Sequence, residues 1–417
     1  MADTDGVETL NQQYETYPYP PRDPADEANR LVTGSPSQLA ELNHYVFAGR
    51  RDFSKPFRAL VAGGGTGDAA IMLAQQLADT GGPGNVVYLD LSSASRAIAE
   101  ARAEARGLSN ISFYSGSLLD ISSIAPGPYD YIDCCGVLHH LSNPSAGLKS
   151  LCDVLSDDGG MGVMVYAPLG RNGVYHVQEM LRSFDLSDSN PVDQVAFARK
   201  LLENLPSTNW LKRNSLVGDH LNEGDAGLYD LLLHSQDRAY SVSELNTFIG
   251  EADMRITTFI APFAYDPSHH VEDEELASKF ETMSWIERCA FTELLTGSLK
   301  THIAYLVKSK RGDKSVATVD DTDLAPILVG LEPKSAANAL RDKGQLNAEL
   351  EGLRYSFPIT HDECAVLELF DGHRTQKDIC AALSVLRTDF SEKSATQSFR
   401  KLFKVLNGLN LSFLRKP

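Results

Sequence analysis

The chain has 417 residues, of which 42% are hydrophobic and 23% charged, with a formal net charge of −18. Such a composition belongs to soluble globular proteins with a real core, and the length suggests two domains. The excess of carboxylates disfavours nucleic acid, whose affinity rests on Lys and Arg neutralising phosphates, and leaves a small molecule or a protein segment as the partner. No run approaches the roughly 18 apolar residues that cross a bilayer. The acidic start lacks the basic residues and apolar run of a secretory signal, so the expected location is cytoplasmic.

Residues 1–36 read as an arm, centred on Tyr14, Tyr17 and Tyr19 among prolines that impose extended backbone. A helix is predicted over Ser37–Arg50, with Leu39, Leu42 and Val46 on one face. Strands then alternate with helices. Arg58–Ala62 is an apolar strand ending in Gly63-Gly64-Gly65-Thr66-Gly67, and Asp68–Asp79 a helix. Asn85–Leu91 is a second strand, Ser92–Arg106 an Ala-rich helix closed by Gly107, and Asn110–Tyr114 a third strand. Tyr129–Cys135 is a fourth strand, Pro144–Leu155 a helix, Asp157–Gly160 a turn and Met161–Tyr166 a fifth strand. Short glycine-containing connections between strands this apolar predict an α/β fold with a doubly wound, mostly parallel sheet. The alternation stops after Ala167, and a helical insertion is predicted over about 171–250. Ile256–Phe263 and Thr301–Lys308 read as closing strands around acidic helices in Glu272–Leu299. The main domain therefore spans 37–310. Residues 311–323 are a linker, and 324–417 a small, mainly α accessory domain.

The strongest chemistry lies in the strand–turn–helix at Leu60–Asp79. Its glycines stand where backbone comes close to a ligand, just before a helix N-terminus. The dinucleotide pattern G-x-G-x-x-G fails in its all-glycine form because Asp68 follows Gly67; a variant starting at Ala62 stays open. Asp90 ends the second strand at the carboxyl edge, where a carboxylate can accept from both hydroxyls of a ribose. That requirement is common to S-adenosylmethionine (SAM) and NAD, so a nicotinamide-dependent oxidoreductase is the alternative enzyme.

Four motifs in order resemble the series of class I SAM-dependent methyltransferases: Leu60–Gly67, Tyr88–Ser92, Ser115–Asp120 and Tyr129–Leu141. The resemblance covers about 55–167 well. It implies a class I methyltransferase fold with SAM as methyl donor. By the same resemblance Gly63, Gly65 and Gly67 lie against the methionyl part, Asp90 with Leu91 holds the ribose, Ser117 and Leu118 border the adenine, and Cys135 and Gly136 line the pocket near the sulfonium. Many relatives carry Asp where Ser117 stands, which puts that contact in doubt. The Asn/Asp-Pro-Pro-Tyr motif of many base-amine methyltransferases is absent at Asp133–Gly136, which again favours a small-molecule or protein side-chain acceptor. A SAM-binding protein without catalysis is the remaining alternative.

His139 and His140 follow the fourth strand at the sheet's carboxyl edge and are the candidate catalytic bases. Tyr14 and Tyr17 of the arm, and Arg171 and Tyr175 after the fifth strand, are candidate acceptor contacts. None of the six cysteines forms a CxxC pair, and no spacing resembles a zinc site. No metal is expected, and His269-His270 reads as a solvated loop. In the last module, Thr375 and Asp378 form a capping box within a sequence that loosely resembles winged-helix-like modules.

Overall fold

The computed structural model describes residues 13–184, 186, 189–386 and 391–417; the first twelve residues of the predicted arm lie outside them. Helix α1 (Leu39–Val46) leads into strand β1 (Phe57–Ala62) and helix α2 (Asp68–Asp79). Strand β2 (Gly84–Asp90), helix α3 (Ser93–Ala105) and strand β3 (Ile111–Ser115) follow. Next come β4 (Tyr129–Cys135), α4 (Pro144–Val154) and β5 (Leu155–Tyr166).

The sheet has the order β3-β2-β1-β4-β5-β7-β6, with β6 (Met254–Ile260) and β7 (Thr301–Lys308) closing one side. β1 to β5 pair in parallel, and β7 runs antiparallel to both β5 and β6. This is the predicted doubly wound sheet. The order reverses between β1 and β4, and open α/β sheets bind ligands at the carboxyl ends beside such a switch point. The turns after β1, β2 and β4 all open onto that edge.

Local chemistry sets the boundaries. α1 stops at Val46, short of the predicted Arg50, because Asn43 turns the chain: its carbonyl accepts from Gly49 N–H at 2.6 Å and its side chain from Arg51 N–H at 2.8 Å. α3 starts where predicted because Ser92 Oγ accepts from Ser95 N–H. Strand β5 starts earlier than predicted. Residues 157–160, read as a turn, continue its exposed end, where pairing with β4 slips between Tyr129 and Tyr131.

The insertion contains α5 (Val174–Arg182), α6 (Pro191–Glu203), several single helical turns and α7 (Val242–Gly250). Most of it shares its own core, built on Val174, Val177, Leu181, Leu228 and Leu231. α8 (Trp285–Thr296) then packs on α7 ahead of β7.

The last module holds β8 (Ala325–Leu328), α9 (Pro333–Lys343), the hairpin of β9 (Gln345–Leu350) and β10 (Leu353–Pro358), then α10 (His361–Leu367), α11 (Gln376–Leu386), α12 (Glu392–Gly408) and β11 (Ser412–Arg415). The helices agree with the sequence patterns; the two short antiparallel ladders β9/β10 and β8/β11 were not predicted, although Gln345–Leu350 and Leu353–Phe357 alternate polar and apolar residues. The capping box is formed, with Thr375 N–H donating to Asp378 and Asp378 N–H to Thr375 Oγ1.

This module is bound tightly to the main sheet. Phe413 of β11 is 1% exposed and packs edge-on against Tyr45 in the core beneath α1, where Tyr45 stacks on Tyr305 of β7. Leu414 N–H donates to His44 Nδ1, and Ala317 N–H in the stretch read as a linker donates to the His44 carbonyl. Removing a buried ring costs the transfer energy plus the cavity left behind. Phe413→Ala is therefore expected to destabilise the whole chain by about 3–5 kcal/mol, lowering the urea midpoint of the main sheet as well as of the last module. Independent unfolding of the module, with the sheet's midpoint unchanged, would contradict this packing.

Candidate functional site

Two groups of residues meet at the switch-point edge. The first surrounds the glycine turn. Gly63 and Gly65 have φ of 77° and 51°, which favours residues without a Cβ. A Cβ on Gly64 would lie 2.3 Å from the ring of Tyr88, and Tyr88 donates its hydroxyl to the Gly65 carbonyl at 2.6 Å. The turn is thus braced by the Tyr88 ring, and Val137 and the Tyr19 carbonyl of the arm approach Gly63 and Gly65 where a Cβ would stand.

Asp90 holds the same turn. Its Oδ2 accepts from Gly65 N–H and its Oδ1 from Ser92 N–H, both at 2.8 Å. Each oxygen keeps a second lone pair. Burial raises the Asp90 carboxyl from its ordinary value, opposed by these backbone bonds. Leu91 follows at the mouth of the β2–α3 turn. Ser117 spends its hydroxyl on Leu119 N–H, Leu118 is buried, and half-buried Cys135 and Gly136 end β4. Burial pushes the Cys135 thiol well up, so it is an inert wall. Among the described residues all six cysteines are free.

The arm lies over this turn. Residues 13–16 form a helical turn, where polyproline-like backbone was predicted for the whole arm. Glu15 caps the N-terminus of α3 through Ser93 and Ala94, and Ser92 Oγ donates to the Tyr14 carbonyl at 3.2 Å. Further along, Thr66 donates to the Pro20 carbonyl at 2.7 Å, and Arg22 pairs with Asp68 at 2.6 Å. Beneath these, Arg102 is 1% exposed. It donates to the Thr66 carbonyl at 2.8 Å, to Asp68 at 2.7 Å and to Glu27 of the arm at 2.7 Å.

The second group is polar and buried. His139 and His140 come from the single turn after β4, Tyr166 from the end of β5, Tyr14 from the arm, and Gln178, Asp230, His234 and Asp237 from the insertion. Tyr14 Oη lies 3.3 Å from Asp230 Oδ1 and 3.2 Å from His234 Nε2, and Tyr166 donates to Asp230 Oδ2 at 3.1 Å. The rings of His140 and His234 stack at 3.8 Å, and His140 Nδ1 lies 2.8 Å from the Gln236 carbonyl. His139 sits between His140 and Tyr166, with ring centroids 4.1 and 4.2 Å away. Burial raises the Asp230 carboxyl and holds His139 and His234 well below the usual histidine range. Nitrogen and oxygen atoms of His139, His140 and Asp237 lie within 4.8 Å of one another, as do those of His140, Asp230 and His234.

The other predicted contacts divide. Tyr14 joins the cluster, whereas Tyr17 packs on Tyr229, 5.6 Å between centroids. Arg171, 3% exposed, lies 3.5 Å over the ring of Tyr166 and pairs with Asp237 at 3.4 Å; its Nε donates to Tyr175 Oη at 3.3 Å. It is a buried strut, and Tyr175 is its neighbour. His269 and His270 are not a solvated loop: His269 packs on Phe263 at 3.9 Å, and His270 lies 3.3 Å from Tyr355 Oη, so the β9/β10 hairpin partly covers both. The sequence reading missed Asp230, His234 and Asp237. The local signals are an Asp set within the Leu-rich stretch Leu228–Leu233, part of which forms a π-helical turn, and the polar run His234–Asp237 directly after it.

Residues 60–161 match a family model described as a methyltransferase domain. The chain carries a methyltransferase domain. An uncharacterised protein of a Synechococcus strain is 28% identical over 312 residues, 72% of this chain and 71% of its own. The solved structure of PKMT2 from Rickettsia typhi has the same fold, with a TM-score of 0.63 and 15% identity over 90% of this chain and 74% of that one. Its complex with AdoHcy gives a TM-score of 0.60 and 14% identity over 88% and 72%. The methyltransferase reading thus replaces the nicotinamide alternative.

Arg102 is the brace of this domain's glycine turn. Removing one partner of a buried ion network strands the others without compensation. Arg102→Met is expected to cost about 3–5 kcal/mol in chemical denaturation and to expose the arm to limited proteolysis. A variant as stable as the native chain, with its arm equally protected, would show that the network contributes nothing.

Proposed function

We propose that this SAM-dependent methyltransferase methylates a heteroatom of a small-molecule or protein side-chain acceptor that enters beside His139 and His140. The observation that supports it is the meeting, at one sheet edge, of the glycine turn with Asp90 and a buried polar cluster behind it.

The residues fit SAM. By the resemblance the methionyl part would run along the backbone of Gly63, Gly65 and Gly67, whose missing side chains let Val137, the Tyr19 carbonyl and Ala99 pack close to the turn. Asp90 keeps one lone pair on each oxygen for the ribose hydroxyls, beside Leu91. Ser117, which lacks the carboxylate many relatives place there, and Leu118 border the adenine, whose amino group is then met by backbone or by the Ser117 hydroxyl. Cys135 and Gly136 lie towards the sulfonium. PKMT2 of Rickettsia typhi binds AdoHcy on the same fold, the product left when SAM gives up its methyl.

SAM supplies an already activated methyl group. The protein's task is to align the nucleophile with it, exclude water and manage the nucleophile's proton. The arm closes the edge through Tyr14 and Glu15, and His139 and His140 lie on the side where the nucleophile would enter. The net charge of −18 disfavours a nucleic-acid acceptor. Six free cysteines suit the reducing cytoplasm, and no helix among the described residues is long and apolar enough to cross a membrane.

Calorimetric titration with SAM tests the donor side. Losing charge-assisted bonds to two hydroxyls predicts that Asp90→Ala weakens SAM by about 100-fold or more. Unchanged affinity would sink the assignment. Tritiated-SAM labelling of a lysate fractionated into protein, RNA and small molecules finds the acceptor. With that acceptor, His140→Ala is expected to lower kcat by about 100-fold or more while SAM affinity changes little.

A further inference from the structure

Three buried atoms of the polar cluster have no hydrogen-bond partner: both ring nitrogens of His139 and Oδ1 of Asp237. The His139 residue is 1% exposed and the Asp237 side chain 0%. Buried polar atoms are almost always satisfied, and an orphaned one calls for an ion or a water. Here the orphans face the same neighbours, since a nitrogen of His139, a nitrogen of His140 and an oxygen of Asp237 lie within 4.8 Å of one another.

The surroundings are those of a metal site. His140 turns Nδ1 to the Gln236 carbonyl at 2.8 Å, which fixes the proton there and leaves Nε2 with its lone pair free. Gln178 donates to Asp237 Oδ2 at 2.9 Å, and Arg171 approaches the same oxygen at 3.4 Å, so the carboxylate is steered with Oδ1 left over. Donors placed tetrahedrally about an ion at about 2.1 Å stand about 3.4 Å apart. The three side chains would draw in by about an ångström to share one centre.

The overlapping set of His140, Asp230 and His234 is a poorer candidate. Both Asp230 oxygens already accept tyrosine hydroxyls. Gln236 N–H donates to His234 Nδ1 at 3.1 Å, so the His234 proton sits on Nε2, facing Tyr14. The His140 and His234 rings also stack with planes only 21° apart, and in-plane lone pairs of stacked rings do not converge on one ion.

We infer that His139, His140 and Asp237 bind a divalent first-row transition ion on the acceptor side of the site. Two imidazoles and one carboxylate select zinc, cobalt or iron(II) over magnesium and calcium, which take oxygen donors. Three protein ligands leave open positions, as in catalytic sites. A heteroatom of the acceptor entering an open position would lose its proton more readily, as water does on zinc. This role rests on the methyltransferase reading proposed above; the binding of the ion does not.

The test uses the full chain, stripped with chelator and titrated with Zn2+ by calorimetry and with Co2+ by visible absorption. SAM affinity and thermal midpoint are measured on the same samples. One equivalent of Zn2+ is expected, with cobalt bands of a nitrogen- and oxygen-ligated ion and no matching response to Mg2+. His139→Gln and Asp237→Asn should each weaken Zn2+ at least 100-fold while retaining SAM affinity and a folded transition. His270→Gln, in the other histidine pair, should leave Zn2+ affinity unchanged. A native chain that takes up no stoichiometric Zn2+ or Co2+, or folded variants that bind as tightly as the native chain, overturns the site. If a variant loses its folded transition, the cobalt spectrum of native protein decides: bands lacking imidazole character overturn the assignment. Zinc bound without methyl transfer in any lysate fraction would instead count against the methyltransferase reading and leave the metal site standing.

Discussion

Everything at the switch-point edge depends on one buried guanidinium. Arg102 projects from α3 beneath the glycine turn and reaches three partners that no other residue connects: the Thr66 carbonyl within the turn, Asp68 at the start of α2, and Glu27 on the arm. The planar fork of arginine suits such a task, since its donors are fixed in direction and its charge is not lost on burial. Asp68 passes the connection on to Arg22, and Glu27 to Arg106. Two carboxylates thus meet three guanidiniums, which leaves the network positive next to a turn already rich in N–H donors. That field suits the carboxylate end of an amino acid, and it holds the arm on the turn without any apolar strap.

With the arm fixed, the two halves of the site become one structure. Ser92 illustrates the coupling. Its N–H holds Asp90 Oδ1, its hydroxyl accepts from Ser95 N–H to cap α3, and the same hydroxyl donates to the Tyr14 carbonyl. The phenol of Tyr14, one side chain's length away, reaches Asp230 and His234 on the insertion. The turn after β2 and the insertion after β5 are therefore joined through a single arm residue. A donor that reorganised Asp90 would be felt at Tyr14, and an acceptor that moved Asp230 would be felt at the arm.

The parts of this arrangement that follow local rules could be read from the sequence. Strands β1, β2 and β4 carry apolar runs, α2 occupies its predicted residues Asp68–Asp79, and the glycine turn and Asp90 stand at the predicted edge, since period, caps and glycines act within a few residues. What required distance was not legible. Arg102 reads as one more charge on an Ala-rich helix, and only its place beneath Thr66 makes it a brace. Asp230, His234 and Asp237 lie over ninety residues after His139 and are brought to it by the packing of the insertion, which has no spacing rule. Arg171 and Tyr17 were plausible contacts by position, yet a cation over Tyr166 and a ring against Tyr229 place them in the packing. The strands β8 and β11 are too short, at four residues each, to show a period, whereas β9 and β10 do alternate and were legible as a hairpin around Glu351-Gly352.

The buried polar cluster is costly, and its composition says what it is arranged to tolerate. Asp230 and Asp237 bring two carboxylates, whereas Arg171 brings one permanent positive charge, and burial keeps His139 and His234 neutral. Pairing absorbs part of the cost: two phenols for Asp230, and Gln178 with Arg171 for one oxygen of Asp237. The remainder lies on Asp237 Oδ1 and His139, where no protein group answers. A fold selected only for stability would fill such a place with leucine, because apolar replacement of buried charge is commonly neutral or stabilising. Keeping an uncompensated negative charge beside neutral imidazoles, in a region of low dielectric, makes sense when positive charge arrives from outside the chain. A sulfonium bound along the glycine turn would bring one positive charge, and a cation between His139 and Asp237 another.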